Sequence, residues 1–73
     1  MIEILQNNGF VYGGKCNCST PMDYYRKSDI ANKRIKISKT GYWIQVKQNQ
    51  FTWSNIDYGN QSTLQEKINK YFI

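Results

Sequence analysis

The chain has 73 residues, a net charge of +5 and 40% hydrophobic residues, with two Trp, six Tyr and three Phe among them. This length predicts one small domain over residues 1–73 with a thin core, and the aromatic content argues against disorder. No apolar run approaches the roughly 20 residues that span a bilayer, so we expect no membrane partner. The N-terminal residues lack the basic and apolar segments of a signal peptide, which predicts a cytoplasmic protein.

The first segment, residues 1–8, predicts a short helix. Its apolar residues Ile2 and Leu5 should pack inward. Asn7-Asn8-Gly9 is a stop signal, because glycine adopts a positive φ at little cost.

Residues 10–27 predict short strands and irregular segments. Phe10-Val11-Tyr12 is one strand, ended by Gly13-Gly14, and Tyr24-Tyr25-Arg26-Lys27 is another. Because neighbouring residues of a strand point to opposite faces, one of the two tyrosines should be buried and the other exposed.

Two cysteines, Cys16 and Cys18, lie in the irregular part of this segment. A structural zinc site needs four ligands, and the chain has no His and no further Cys, so a Cys₄ site would have to be shared across a dimer. A disulfide between positions i and i+2 would close a small, strained ring. The favoured interpretation is two reduced thiols in a turn, and the other two stay open. We predict no cofactor and no metal site within one chain.

Residues 30–56 predict a β-meander. Apolar and polar residues alternate in Lys33–Ser38 and Tyr42–Lys47, and a third run follows at Phe51–Ser54. Hairpin turns fit Lys39-Thr40-Gly41 and Gln48-Asn49-Gln50, with Gly41 and Asn49 at positive φ. One face of the sheet should carry Ile35, Ile37, Tyr42, Ile44 and Val46. The other should carry Arg34, Lys36, Trp43, Gln45 and Lys47.

The last segment, residues 62–72, is the clearest helix. Ser62 or Thr63 should cap it, with Gln65 or Glu66 completing a capping box. Its apolar residues share one face: Leu64, Ile68, Tyr71 and Phe72. This stripe should dock on the apolar sheet face and leave the basic face open. The predicted fold class is α+β, an antiparallel β-meander of three to five short strands with a C-terminal amphipathic helix packed on one face and a short N-terminal helix.

The residue types of the chain argue against catalysis and in favour of binding. Without His or a spaced pair of carboxylates, the chain lacks the usual acid-base groups, and we predict that it is not an enzyme and has no catalytic residues. Residues 26–47 hold seven basic side chains against Asp29 alone, which favours an anionic partner over a merely solvated surface.

Each candidate binding residue has an expected role. Arg34 suits guanine and Gln45 adenine, Trp43 suits stacking, and the lysines suit phosphates. The candidates are Arg26, Lys27, Arg34, Lys36, Lys39, Trp43, Gln45 and Lys47. The predicted partner is nucleic acid, either DNA or RNA. The alternative is an acidic protein surface, and a homo-oligomer stays open.

Two resemblances add to this interpretation. The element order in residues 33–72 resembles the DNA-binding domains of tyrosine integrases and AP2-type factors, in which a three-stranded sheet backed by a helix enters the major groove. Gly9-Phe10-Val11-Tyr12-Gly13-Gly14-Lys15-Cys16-Asn17-Cys18, followed by Tyr25-Arg26-Lys27, is similar to short proteins of phages and gut Bacteroidota. The second resemblance implies a phage or prophage setting, in the host cytoplasm or the virion. It also implies a second role, as a virion component or an inhibitor of a host defence system.

Overall fold

The computed structural model describes residues 1–16 and 19–73. Two helices and five strands follow in order along the chain: α1 (Ile2–Asn7), β1 (Val11–Lys15), β2 (Asp23–Arg26), β3 (Lys33–Ile37), β4 (Tyr42–Lys47), β5 (Trp53–Gly59) and, after a 3₁₀ turn (Gln61–Thr63), α2 (Leu64–Phe72). The strands form one antiparallel sheet in the order β1-β2-β3-β4-β5. This confirms the predicted α+β meander with a helix at each end. Within the described ranges, neither helix is long and apolar enough to cross a membrane.

The core lies between one face of the sheet and α2. From the helix, Leu64, Ile68 and Phe72 are buried, as its apolar stripe predicts. The remaining buried members of the core come from α1, the segment before β1, and the sheet: Leu5, Phe10, Tyr25, Ile35, Tyr42 and Ile44. The rings of Phe10 and Phe72 meet edge to face at 5.0 Å. One sheet face is therefore covered, and the elements described leave the other without a helix.

The pairing of β3 with β4 confirms the predicted division into two faces. Ile35 stands opposite Ile44 and Arg34 opposite Gln45, and residues directly across from each other share a face. The two tyrosines of β2 divide as expected, because Tyr25 is buried in the core and Tyr24 is half-buried on the other side.

The hairpin turns form where they are predicted, but for different physical reasons. Neither Gly41 nor Asn49 has a positive φ. Gly41 is required by a close approach instead, because a Cβ there would lie 2.6 Å from the carbonyl oxygen of Gly59. The Asn49 side chain accepts hydrogen bonds from the backbone N–H of Phe51 and Thr52, which closes the turn without the left-handed conformation.

Several element ends differ from the prediction. β1 does not stop at Gly13-Gly14 but runs through them to Lys15, and β5 begins at Trp53 and continues to Gly59. α1 ends before Gly9, whose φ is +83° as predicted, although Ile2 is exposed. The C-terminal helical segment is capped by Asn60, whose side chain accepts from the N–H of Ser62, and Thr63 makes no capping hydrogen bond.

Candidate functional site

The sheet face turned away from α2, here called the open face, gathers basic, aromatic and amide side chains from four strands. Its membership follows from the strand pairs Tyr24–Lys36, Trp43–Lys36, Trp43–Tyr58 and Lys47–Trp53, since paired residues share a face. The open face carries Tyr24, Arg26, Arg34, Lys36, Trp43, Gln45, Lys47, Trp53, Asn55 and Tyr58.

Arg34 occupies the middle of the open face, between two aromatic rings. Its guanidinium carbon lies 4.4 Å from the centroid of Tyr24 and 4.2 Å from that of Trp53. Both distances are well inside the roughly 6 Å range of a cation–π contact. The guanidinium is therefore held by a ring from β2 on one side and a ring from β5 on the other.

A chain of hydrogen bonds fixes the edge of the same guanidinium. Arg34 donates from Nε to Gln45 Oε1 at 2.7 Å, and Gln45 donates from Nε2 to Asn55 Oδ1 at 2.8 Å. Gln45 is only 5% exposed, and both ends of its amide are bonded. The orientation of Arg34 is thus set by three neighbouring strands.

A backbone feature of β1 seats the Tyr24 ring. The pairing of β1 with β2 shifts register between Tyr12 and Gly14, which leaves Gly13 as an extra residue. A Cβ at Gly13 would lie 2.9 Å from Tyr24 Cε1, so the ring packs directly on the glycine backbone. Any larger residue at position 13 would push Tyr24 out of place.

Burial lowers the pKa of the Arg34 guanidinium, while its contact with Tyr24 acts in the opposite direction. Arginine keeps its charge in proteins, so Arg34 stays cationic at neutral pH. A half-buried cation held between rings has lost part of its hydration. An incoming anion therefore displaces less water from it than from a free lysine.

A shallow hollow of about 430 Å³ lies beside Arg34. It is lined by the residue after β1, by residues of β3, β4 and β5, and by the loop between β4 and β5: Cys16, Arg34, Lys36, Gln45, Phe51, Thr52, Trp53 and Asn55. Phe51 stands at its rim and is 84% exposed. An apolar ring at the edge of a cationic hollow is a place where a flat group can stack while its charge meets Arg34.

A second aromatic and basic cluster lies further along the open face. Lys36 Nζ is 5.7 Å from the centroid of the Trp43 ring, and Tyr58 stands directly across from Trp43. Trp43 is half-buried, whereas Tyr58 is 74% exposed. The face therefore offers rings and cations at both of its ends.

The five carboxylates of the chain all lie elsewhere. Asp57 is on the helix side of β5 and binds Lys67 Nζ at 2.9 Å and the Tyr71 hydroxyl at 2.7 Å. Asp23 pairs with Lys15 at 3.0 Å. Glu3 and Glu66 belong to the helices, and Asp29 to the turn after β2. In the part of the chain that the structure describes, the open face thus has cations and no acid.

The structure brings together six of the eight residues predicted from the sequence. Arg26, Arg34, Lys36, Trp43, Gln45 and Lys47 lie on the open face. Lys27 does not, because its Nζ lies 5.7 Å from the Phe10 ring at the edge of the core. Lys39 is in the β3–β4 turn and borders a different surface, with Lys15 and Asp23.

Sequence reasoning did not include five residues of the site: Tyr24, Phe51, Trp53, Asn55 and Tyr58. The period-two spacing of Trp53 and Asn55 indicates that these two residues share a face of a strand, so the sequence could have identified them. Tyr58 gave none, because the register of β4 with β5 shifts between Ile44 and Gln45 and leaves Ile56 unpaired. Before Ile56, the odd-numbered residues of β5 lie on the open face, and after it the even-numbered Tyr58 does.

Cys16 is 5% exposed, and its Sγ accepts a hydrogen bond from the N–H of Met22 at 3.3 Å. Cys16 is disulfide-bonded, so the favoured prediction of two reduced thiols is wrong. Cys18, which the predicted shared zinc site would also need, lies outside the described residues. Among residues 1–16 and 19–73, no group of three or more His, Cys, Asp or Glu side chains is placed to hold a metal ion.

Comparison with protein-family models, curated proteins and solved structures finds no match to the chain.

Proposed function

We propose that this protein is a small accessory protein of the phage type that binds nucleic acid through its open face. The observation that carries the proposal is the separation of charge between the two sides of the sheet. Arg26, Arg34, Lys36 and Lys47 are on the open face, and no described carboxylate accompanies them. A surface of one sign attracts a polyanion over several ångströms and holds it by displacing counterions.

The pairing of acids with bases on the other side supports this proposal. Asp23 and Asp57 are bound to Lys15 and Lys67, so these four charges largely cancel within the protein. Among the residues that the structure describes, no carboxylate pairs with the cations of the open face. They remain available to phosphate groups.

Arg34 is the residue suited to a fixed phosphate contact. Its Nε donates to Gln45, and its guanidinium carbon lies 4.4 Å and 4.2 Å from the centroids of the Tyr24 and Trp53 rings. A guanidinium has five N–H donors, so the N–H groups that Gln45 and Tyr24 do not use can reach a phosphate. Lys36 and Lys47 flank it as further cations for a phosphate backbone.

Binding to labelled 20-residue oligonucleotides at two salt concentrations tests the proposal. We expect measurable affinity at 50 mM salt that falls steeply at 200 mM. The double variant Lys36→Glu with Lys47→Glu should weaken binding by about tenfold or more. It should also reduce the slope of log affinity against log salt concentration by the equivalent of about two phosphate contacts.

The matched control is Lys39→Glu with Lys70→Glu, which changes the net charge by the same amount away from the open face. It should weaken binding far less. Equal losses in the two double variants would show that net charge alone, and not this face, attracts the oligonucleotide.

A second function is favoured by two exposed rings on the open face, Phe51 beside the hollow at Arg34 and Tyr58 across from Trp43. Aromatic residues with arginine are the usual hot spots of protein interfaces, and an acidic protein surface would complement the same cations. A virion component or an inhibitor of a host defence system would use the face in this way. This function predicts a stoichiometric protein complex that survives 500 mM salt, measured by light scattering after mixing with candidate partners.

A further inference from the structure

The width of the sheet decides how it can meet a nucleic acid. Five strands spaced about 4.8 Å apart put the outer strands about 19 Å from each other. The major groove of B-DNA is about 12 Å wide and admits a helix or a two-stranded ribbon. The five-stranded sheet is therefore too broad to enter such a groove.

The Gln45 side chain, which would read adenine, is also occupied. Gln45 uses its amide oxygen for Arg34 and its amide nitrogen for Asn55. Reading adenine requires both atoms of that amide. Gln45 is also only 5% exposed. Reading adenine through Gln45 would have to break both of these hydrogen bonds first.

The rings that are not covered favour another ligand. Phe51 and Tyr58 are the most exposed aromatic side chains bordering the open face, at 84% and 74%. Solvent-exposed rings on a cationic sheet are platforms on which unpaired bases stack. In a duplex the bases are already stacked on each other and cannot use them.

The arrangement of rings and cations follows the path of a single strand. Trp43, Gln45 and Lys47 lie along one side of β4 at intervals of about 7 Å, with Tyr58, Asn55 and Trp53 directly across from them on β5. Cations stand beside rings at both ends, Lys36 at Trp43 and Lys47 at Trp53. Phosphates can therefore meet Lys36, Arg34 and Lys47 in turn while flanking bases reach Tyr58 and Phe51.

Resting on the proposed function, we infer that the open face binds single-stranded nucleic acid, with bases stacked on Phe51 and Tyr58 and phosphates on Arg34, Lys36 and Lys47. The recognised chemistry is an unpaired base on a flexible polyanion. DNA and RNA both supply it.

Fluorescence anisotropy with three probes tests this inference. The probes are 20-residue oligo-dT, 20-residue oligo-U and a 20-base-pair duplex of mixed sequence, each at 50 mM salt. We expect at least one single strand to bind about tenfold or more tightly than the duplex. Replacing both rings, with Phe51→Leu and Tyr58→Leu, should weaken single-strand binding by about tenfold or more without lowering duplex binding.

The matched control keeps the rings in place, with Phe51→Tyr and Tyr58→Phe, and should retain single-strand affinity to within about threefold. A duplex bound as tightly as both single strands would overturn the inference and leave the proposed function standing. Single-strand affinity that survives the loss of both rings would also overturn it. Failure of all three probes to bind at 50 mM salt would overturn the proposed function itself.

Discussion

The contacts of Arg34 within the fold restrict the conformations of its side chain. Its stacking with Tyr24 and Trp53 and its bond to Gln45 restrict a side chain that otherwise loses much rotamer freedom when it binds. The side chain therefore loses most of its rotamer entropy when the protein folds. Binding of the proposed ligand would then carry a smaller entropy cost at this residue.

Arg34→Lys should separate stacking from charge. Lysine keeps the positive charge but has no planar group to lie between two rings and no Nε–H to give to Gln45. We expect the free energy of unfolding to fall by about 1–2 kcal/mol, measured by urea denaturation. Arg26→Lys, an exposed change on the same face, should stay within about 0.5 kcal/mol of the parent protein. Equal effects at the two positions would contradict a structural role for the stack.

At the scale of elements, both edge strands carry an irregularity, and each serves the open face. The extra residue Gly13 in β1 provides the flat seat for Tyr24, and the extra residue Ile56 in β5 changes which residues face the helix. Edge strands expose unpaired backbone groups that invite pairing with another chain, and bulges weaken that tendency. The same two features thus position the site and protect the edges.

The Asp57 carboxylate links β5 to α2 through Lys67 and Tyr71. Hydrogen bonds from Tyr71, Lys67 and the backbone N–H of Tyr58 lower the pKa of Asp57 from 3.8 to about 2. Because the pKa is lower in the folded protein, this carboxylate stabilises the fold above about pH 4, and that stabilisation is lost as the pH falls toward 2.

Asp57→Asn should therefore lower the melting temperature at pH 7 and reduce its fall between pH 5 and pH 2, measured by circular dichroism. Asp23→Asn is the matched control. The pKa of Asp23 is also lowered, chiefly by its hydrogen bonds with Lys15 and Tyr12, but its side chain is 43% exposed and ties no helix to the sheet. It should keep most of the parental acid dependence. If the melting temperature of the Asp57 variant fell with pH as steeply as that of the parent protein, another group would govern acid unfolding.

At the scale of the whole molecule, the sequence predicted what local periodicity determines. Alternation in β3 and β4 fixed the two faces, and the spacing of Leu64, Ile68 and Phe72 fixed the buried side of α2. The stacking of Arg34 was not predictable in this way, because it joins side chains from three strands through a register that no single strand encodes. The change of face at Ile56 was hidden for the same reason, since a bulge breaks the parity on which the prediction depends.

The small size of the domain makes its stability sensitive to single core residues. Ile68→Ala removes a fully buried side chain, and we expect it to cost about 2–5 kcal/mol, which is comparable to the whole stability of many domains of this length. Ile68→Val, a smaller deletion, should cost about 0.5–1.5 kcal/mol. Urea denaturation measures both. Asn69→Ala, exposed on the same helix, should change stability by about 0.5 kcal/mol at most, and a comparable loss there would contradict a core confined to one side of α2.

The extra residue at Ile56 also lets residues of different parity share one face of β5. Trp53 and Asn55 before it and Tyr58 after it lie on the open face, while Asp57 turns to the helix side and bonds to Lys67. Because the Trp53 ring also stacks on Arg34, a substitution there would change both the open face and the fold. Asn55 is exposed at the end of the hydrogen-bond chain, so a library that randomises position 55 alone would vary the chemistry of the open face while the Arg34 stack and the bond of Asp57 to the helix stay in place.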